Sequence, residues 1–230
     1  MSDTRGSNNW LLLLPETVQK DVKARMVRRH FADGEAIYRY GEQGTTQYQV
    51  VSGAVRVRSL SDNGKEVTYV IYGPGECIGY LSAIDGDVRP QDAVAMGDVE
   101  LGCLTLNHFE QLRERYRDID RAMTLHLSRR MRELFKSYEV GKFFGLDRRL
   151  AHQIDFLLEV AEHATNGEGC NELELTQELL ASSVSASRQA INKILKAWAD
   201  AGVVEYSYGR IRILDRAALK ALSEGEADSG

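Results

Sequence analysis

Five polar side chains within nine positions, Arg188, Gln189, Asn192, Lys193 and Lys196, carry the groups best suited to chemistry in this chain. On a helix they lie opposite Ile191, Ile194, Leu195 and Trp198, which recur at i, i+3, i+4 and i+7. Such a helix packs on its own domain behind and offers hydrogen-bonding and cationic groups in front. Base-pair edges in the major groove of DNA call for that split. An arginine can meet guanine O6 and N7 together, and an amide can meet adenine N6 and N7. Ser187 is suited to cap the helix at its start and Gly202 to close it, so the pattern predicts a helix over residues 188–201. Arg188 then sits in the first turn, where side chains reach bases.

Other elements must hold that helix in place. Thr176 reads as the N-cap of a short helix over 177–182, with a tight connection around Val184-Ser185. After Gly202, Val203-Val204-Glu205-Tyr206 and Arg210-Ile211-Arg212-Ile213-Leu214 flank Ser207-Tyr208-Gly209, a hairpin or wing. Residues 184–212 hold five cations against two anions, a local +3 within a chain of net charge −5. Binding to a polyanion needs this kind of local concentration. Leu150, Ile154, Leu157, Leu158 and Ala161 mark an amphipathic helix over 146–163, followed by a loop at Asn166-Gly167-Glu168-Gly169.

Upstream, Asp118 is suited to cap a long helix running to about Gly141, roughly 35 Å long. Leu127, Met131, Leu134 and Tyr138 follow 4-3-4 spacing, the seam of a coiled coil, so this helix is expected to join two copies of the chain. Phe143-Phe144-Gly145 reads as a hinge. Between Phe31 and Leu106, glycines at positions that include Gly34, Gly41, Gly44, Gly53, Gly64, Gly73, Gly75 and Gly79 separate short alternating runs. Val55 and Val57 alternate with Arg56 and Arg58; Val67, Tyr69 and Ile71 share one face; Val99, Leu101 and Cys103 share another. Period-two runs with regular turns predict an antiparallel sandwich or barrel. The expected class is α+β, in four parts: a β-roll sensor (residues 1–117), a dimerisation helix and hinge (118–144), a winged helix-turn-helix (145–222) and a disordered tail (223–230).

Composition excludes several classes. Cys77, Cys103 and Cys170 are odd in number and form no CxxC pair, against a disulfide framework and consistent with a reducing cytoplasm. Trp10-Leu11-Leu12-Leu13-Leu14 ends at Pro15, too short to span a membrane; it is expected to pack on the first domain. No enzyme signature is present: GxGxxG, GxSxG and HExxH are missing, and Gly64-Lys65 and Gly141-Lys142 lack the upstream glycine of a phosphate loop. A stand-alone cyclic-nucleotide module serving a kinase or channel is disfavoured by residues 175–214.

The stretch from Leu175 to Lys196 resembles the helix-turn-helix of the cyclic-AMP receptor protein/FNR superfamily. The β-roll supports this through Phe31-x-x-Gly34-Glu35, Gly41-Glu42, Val50-Val51-Ser52-Gly53-x-Val55-x-Val57, Gly64-x-Glu66 and Gly73-Pro74-Gly75-Glu76-x-Ile78-Gly79. The hinge stretch ending Arg149-Leu150-Ala151 fits as well, so the similarity covers roughly residues 20–220. The resemblance implies a jelly-roll, cyclic-nucleotide-binding-like sensor and a homodimer on a palindromic operator in double-stranded DNA, with RNA polymerase as a further partner. It implies that Thr176 and Ser187 hold phosphates, that Arg188 reads guanine, and that Gln189 and Lys193 reach adjacent bases. Gln177, Asn192 and Lys196 complete the expected DNA-facing set. Two departures bear on sequence preference: the family usually has Glu where Gln189 stands and commonly Arg where Lys193 stands.

The same resemblance implies an effector pocket between roll and long helix, at Tyr80, Arg89, Leu134 and Phe135. Its polar contacts to cyclic AMP are mostly missing here. Members that bind cyclic AMP have Gly-Glu where this chain has Gly79-Tyr80, Arg-Ser-Ala at Arg89-Pro90-Gln91 with one residue of loop length allowed, and Thr-Ser at Leu134-Phe135. Pro90 offers neither hydroxyl nor N–H. Each buried hydrogen bond left unmet costs about 1–3 kcal/mol. Cyclic AMP is therefore not the expected effector, and no cofactor or metal is expected. There is no thiolate cluster for iron–sulfur; His126 and His30 read as ordinary histidines rather than haem ligands, and Cys170 as an inert small residue. The remaining expectation is an unknown effector, or a pocket filled by its own side chains.

Overall fold

A computed structural model of the chain describes residues 8–60, 66–164, 170–207 and 209–224. Gly64-Lys65, the Asn166–Gly169 loop, Tyr208 of the wing and the tail beyond residue 224 lie outside them. Two compact units result, one drawn from residues 1–59 and 71–135, the other from 60–70 and 136–230.

The first unit opens on a short 3-10 turn (Trp10–Leu13) and helix α1 (Glu16–Ala24). Strands β1 (Val27–Phe31), β2 (Ala36–Tyr38), β3 (Thr46–Leu60), β4 (Glu66–Tyr72), β5 (Cys77–Ile78) and β6 (Asp92–Thr105) follow, with helix α2 (Tyr80–Asp85) before the last. Helices α3 (Leu106–Arg115) and α4 (Asp118–Phe143) complete it, and both β4 and α4 run on into the second unit. The strands form one sheet in the order β1-β6-β3-β4, with β2 on β6 and β5 on β3. Strands β1 and β3 flank β6 antiparallel, with Val27 opposite Cys103 and Val55 opposite Ala95.

Alternation sets the inward face as expected on β3 and β6: Val55, Val57, Val99, Leu101 and Cys103 are all buried. On β4 the expectation fails. Ile71 is buried, but Tyr69 is exposed and its neighbour Thr68 is buried instead. Thr68 Oγ1 meets Ser182 Oγ at 2.9 Å, so the side chain covered at this point of the strand is one with a polar partner. The leucine-rich segment packs as expected: Trp10 and Leu11 are fully buried, with Trp10 edge-on to Phe109 at 5.9 Å. Asn8 anchors it, accepting from Cys77 N–H at 2.7 Å and donating its side chain to Cys77 O at 2.6 Å.

The second unit comprises α5 (Leu146–Ala164), β7 (Glu172–Glu174), α6 (Gln177–Ser183), α7 (Arg188–Asp200), β8 (Val204–Ser207), β9 (Arg210–Ile213) and α8 (Arg216–Glu224). Its small antiparallel sheet runs β7-β9-β8. Leu150, Ile154 and Leu158 on α5, Leu180 on α6, Ile191 on α7 and Leu219 on α8 are fully buried and form its core. Two elements go beyond the sequence reading. Strand β7 is only three residues long, and its single buried side chain, Leu173, leaves no periodicity to detect. Helix α8 begins at a capping carboxylate, Asp215 Oδ1 accepting from Ala218 N–H at 2.9 Å. It continues through Ser223, expected at the start of the tail but in fact buried, with its carbonyl accepting from Arg148 Nε at 2.9 Å.

Candidate nucleic-acid interface and effector pocket

Local hydrogen bonds fix the two helices of the second unit. Thr176 Oγ1 accepts from Leu179 N–H at 3.2 Å and Ser187 Oγ from Ala190 N–H at 3.2 Å, each satisfying one orphan donor at a helix start. Both hydroxyls keep a proton for an outside acceptor, and both residues are exposed. The connection between the helices turns at Ser185, whose φ of 53° is the left-handed region that side chains rarely adopt. Helix α7 then separates its faces as expected: Ile191, Leu195 and Trp198 are buried, while Arg188, Gln189, Asn192, Lys193 and Lys196 are exposed.

Gln177 is the exception among the expected DNA-facing residues. It is only 6% exposed, and both ends of its amide are engaged within the unit. Its Oε1 accepts from Arg188 Nε at 3.2 Å, and its Nε2 donates to Asn192 Oδ1 at 3.1 Å. Glu178, which the sequence reading passed over, pairs with Arg188 Nη1 at 2.9 Å. On the wing, Arg210 meets Glu174 at 2.7 Å and Glu172 at 3.6 Å, and Arg212 meets Glu205 at 3.9 Å. Taking in β7 and α6 widens the window to 172–212, where five cations face five carboxylates, so the +3 of the narrower stretch is locally cancelled. These pairs are exposed and exchangeable; surface pairs contribute about 0–1 kcal/mol each.

In the first unit, Tyr80 and Arg89 come together with Tyr38, Tyr72 and Pro90 around a cavity of about 70 Å³. Pockets for small ligands hold roughly 300–1,000 Å³. Arg89 is 2% exposed. Its Nη1 donates to Gly79 O at 2.6 Å, its Nη2 donates to Thr46 O, and its guanidinium lies 4.4 Å from the ring centre of Tyr38. Gly79 has φ +73°, and a Cβ there would stand 2.8 Å from Arg89 Nη1, so only glycine lets the guanidinium approach. Tyr80 donates to Asn8 Oδ1 at 3.1 Å and sits edge-on to His126 at 5.0 Å. Burial and the nearby tyrosines keep the hydroxyl protons of Tyr38 and Tyr80 firmly bound. Leu134 and Phe135, by contrast, are exposed and do not line this cavity.

His126 is buried, and burial first, then Arg130 and Arg129, pushes it down to about 4, so it is neutral near pH 7. His30 is exposed on β1. Burial pushes the Cys77 thiol up to about 12, away from thiolate chemistry. Cys170 donates to Glu172 O at 3.0 Å. Among the described residues, no three His, Cys, Asp or Glu side chains gather to hold a metal ion, and no helix is long and apolar enough to cross a membrane.

Comparison with known proteins accounts for both units. A cyclic nucleotide-binding domain matches residues 28–116 and a Crp-like helix-turn-helix domain matches residues 148–222. The chain is 30% identical over 198 residues to the transcriptional regulator SdrP of Thermus thermophilus, covering 84% of this chain and 93% of that one. The chain belongs to the Crp/Fnr family of transcription regulators. Another Crp/Fnr relative, the cyclic AMP receptor protein of Thermus thermophilus, is 29% identical over 224 residues, covering 97% of this chain and all of that one. A solved Crp/Fnr regulator from the same organism superposes with a TM-score of 0.71 at 26% identity, covering 86% of this chain and 99% of that one. The relatives are regulators rather than enzymes, and this Crp/Fnr chain is accordingly a DNA-binding transcription regulator.

Proposed function

We propose that the regulator acts as a homodimer on a palindromic operator, reading each half-site with α7 and holding it with the caps and the wing. The observation that carries this reading is the face separation of α7, with Arg188, Gln189, Asn192, Lys193 and Lys196 exposed above a buried Ile191–Leu195–Trp198 seam. Thr176 and Ser187 supply phosphate donors from the two helix starts. RNA polymerase is the further partner, and the cytoplasm, where the chromosome lies, is the site of action.

The dimer rests on α4. Met131, Leu134, Phe135 and Tyr138 are 53–64% exposed, an apolar row at i, i+3, i+4 and i+7 along α4. Leu127, the first residue of the expected seam, is half-buried against the core of its own unit. The informative substitutions are therefore Met131→Glu and Leu134→Glu, which leave that core alone. Sedimentation should show a wild-type dimer at micromolar concentration, and monomers of the double variant that bind operator poorly. A wild-type monomer refutes the dimer.

The effector reading is that cyclic AMP does not control this protein. A cavity of about 70 Å³ is too small for a nucleotide, Arg89 already donates to Gly79 O and Thr46 O, and Tyr80 is engaged by Asn8. Control passes to a different effector or to none. Calorimetric titration with cyclic AMP should show no heat at micromolar concentrations. Micromolar binding with a matching gain in DNA affinity refutes it.

A further inference from the structure

The polar network between α6 and α7 has a direction. Arg188 Nε–H can only donate, so the end of Gln177 facing it must be the carbonyl oxygen, Oε1, at 3.2 Å. The opposite end of that amide, Nε2, is then a donor, and the atom it meets at 3.1 Å must be an acceptor, Asn192 Oδ1. The carbonyl of Asn192 is thereby occupied. Its Nδ2, carrying two protons, has no hydrogen-bond partner among the described residues, and Asn192 stands exposed on the outer face of α7. A free asparagine presents both donor and acceptor and suits adenine; this one presents donors alone.

From this polarity we infer that Gln177 is a specificity-determining positioning residue. It touches no base, but it orients Asn192 as a pure donor towards a base that offers acceptors, guanine through O6 and N7 or thymine through O4. The inference rests on the reading of α7 as the base-contacting helix and adds to it which way one of its side chains faces. Gln177 suits the role because it is buried, and because the same amide steadies Arg188 through Nε while leaving the rest of the guanidinium to face outward. Glu178 reinforces the second function by holding Nη1 at 2.9 Å until a base replaces it.

Reversing the polarity tests the idea. In Gln177→Glu both carboxylate oxygens accept: one takes Arg188 Nε–H, and the other forces Asn192 to turn its NH₂ inward and its carbonyl outward. Asn192→Asp presents an acceptor outward at the same place without altering Gln177. Wild type and both variants are titrated at fixed salt against half-sites carrying each of the four bases at every position. Preference at one base pair should move by about ten-fold from guanine or thymine towards cytosine or adenine, at the same position in both variants. Arg188→Ala serves as the reference for the reading itself. If it lowers preference at its own base while Gln177→Glu and Asn192→Asp weaken all half-sites equally or shift different positions, the relay is refuted and the reading stands. If Arg188→Ala also acts uniformly on all sequences, the reading fails with it. Should Gln177→Glu fail to fold, a lack of any base-specific shift in Asn192→Asp alone overturns the inference.

Discussion

Arg89 in the β-roll is buried, donates to two backbone carbonyls and lies across a tyrosine ring; Arg188 on α7 is exposed and held by Gln177 and Glu178. Both guanidinium groups are engaged within the protomer, but the partners differ in kind. The backbone carbonyls of Thr46, on β3, and of Gly79, in the turn between β5 and α2, are held by the fold and cannot withdraw as a side chain can, so a ligand would have to take the donors from groups that are then left unmet. The side chain of the exposed Glu178 can give way to guanine at little cost, while Gln177 keeps its hold on Nε and leaves the rest of the guanidinium outward. The same residue type is therefore structural in one unit and available for recognition in the other. Partner mobility makes that difference.

The largest expected effect comes from breaking the structural half of the comparison. Arg89→Ala strands the carbonyls of Gly79 and Thr46 and opens space beside Tyr38, which should lower unfolding stability by about 2–5 kcal/mol. Urea denaturation measures it. The remaining folded protein should keep its half-site preferences. A variant of full stability that has lost its response to some small molecule would show instead that Arg89 is a ligand contact.

His126 sharpens the comparison through pH, since it is a buried, neutral histidine in the first unit. Desolvation, then Arg130 and Arg129, lowers its folded value from 6.5 to about 4, while Tyr80 packs edge-on against the ring. Between those values the unfolded chain binds a proton that the folded one refuses. Stability is full above pH 6.5, falls as pH drops towards 4, and has no further dependence from this group below that. The total loss is about 3 kcal/mol. His126→Gln should flatten unfolding stability across this window relative to wild type; an unchanged slope would place the titration elsewhere.

The two units were not equally legible in the sequence. Helix α7 could be read because its signals are local: a capping serine, a stripe at i, i+3, i+4 and i+7, and a glycine stop whose φ is +72°. The roll's alternation was readable on β3 and β6 for the same reason. What escaped depends on residues far apart in the chain. Gln177 and Asn192 are fifteen positions apart on separate helices, and only their packing turns a residue expected to face DNA into one that orients its neighbour. Arg89 likewise meets Thr46 O across forty-three positions, a contact that spacing cannot announce. Glu172 and Glu174 fell outside the window in which charge was counted, although β7 sets them beside Arg210. Helix α8 did carry a local signal, the capping Asp215, and could have been found.

The smallest effects separate residues within the reading face. Arg188→Ala should cost about 1–3 kcal/mol per half-site and relax preference at one base position. Lys196 lies two turns further along α7, away from the end that enters the groove, where a cation meets phosphate rather than a base edge. Phosphates are the same in every sequence, so Lys196→Ala should weaken operator and random DNA alike. Each neutralised phosphate releases condensed counterions, so its loss should reduce the slope of log affinity against log salt by about one unit per contact. Gln189→Glu replaces an amide suited to adenine with an acceptor suited to cytosine N4, and should move preference at a further position without altering that slope. Titrations of half-site variants over a range of salt distinguish the three. If Arg188→Ala reduces affinity uniformly and Gln189→Glu leaves preference untouched, α7 contacts only the backbone, and the contrast between a fixed and an available arginine has no bearing on sequence reading.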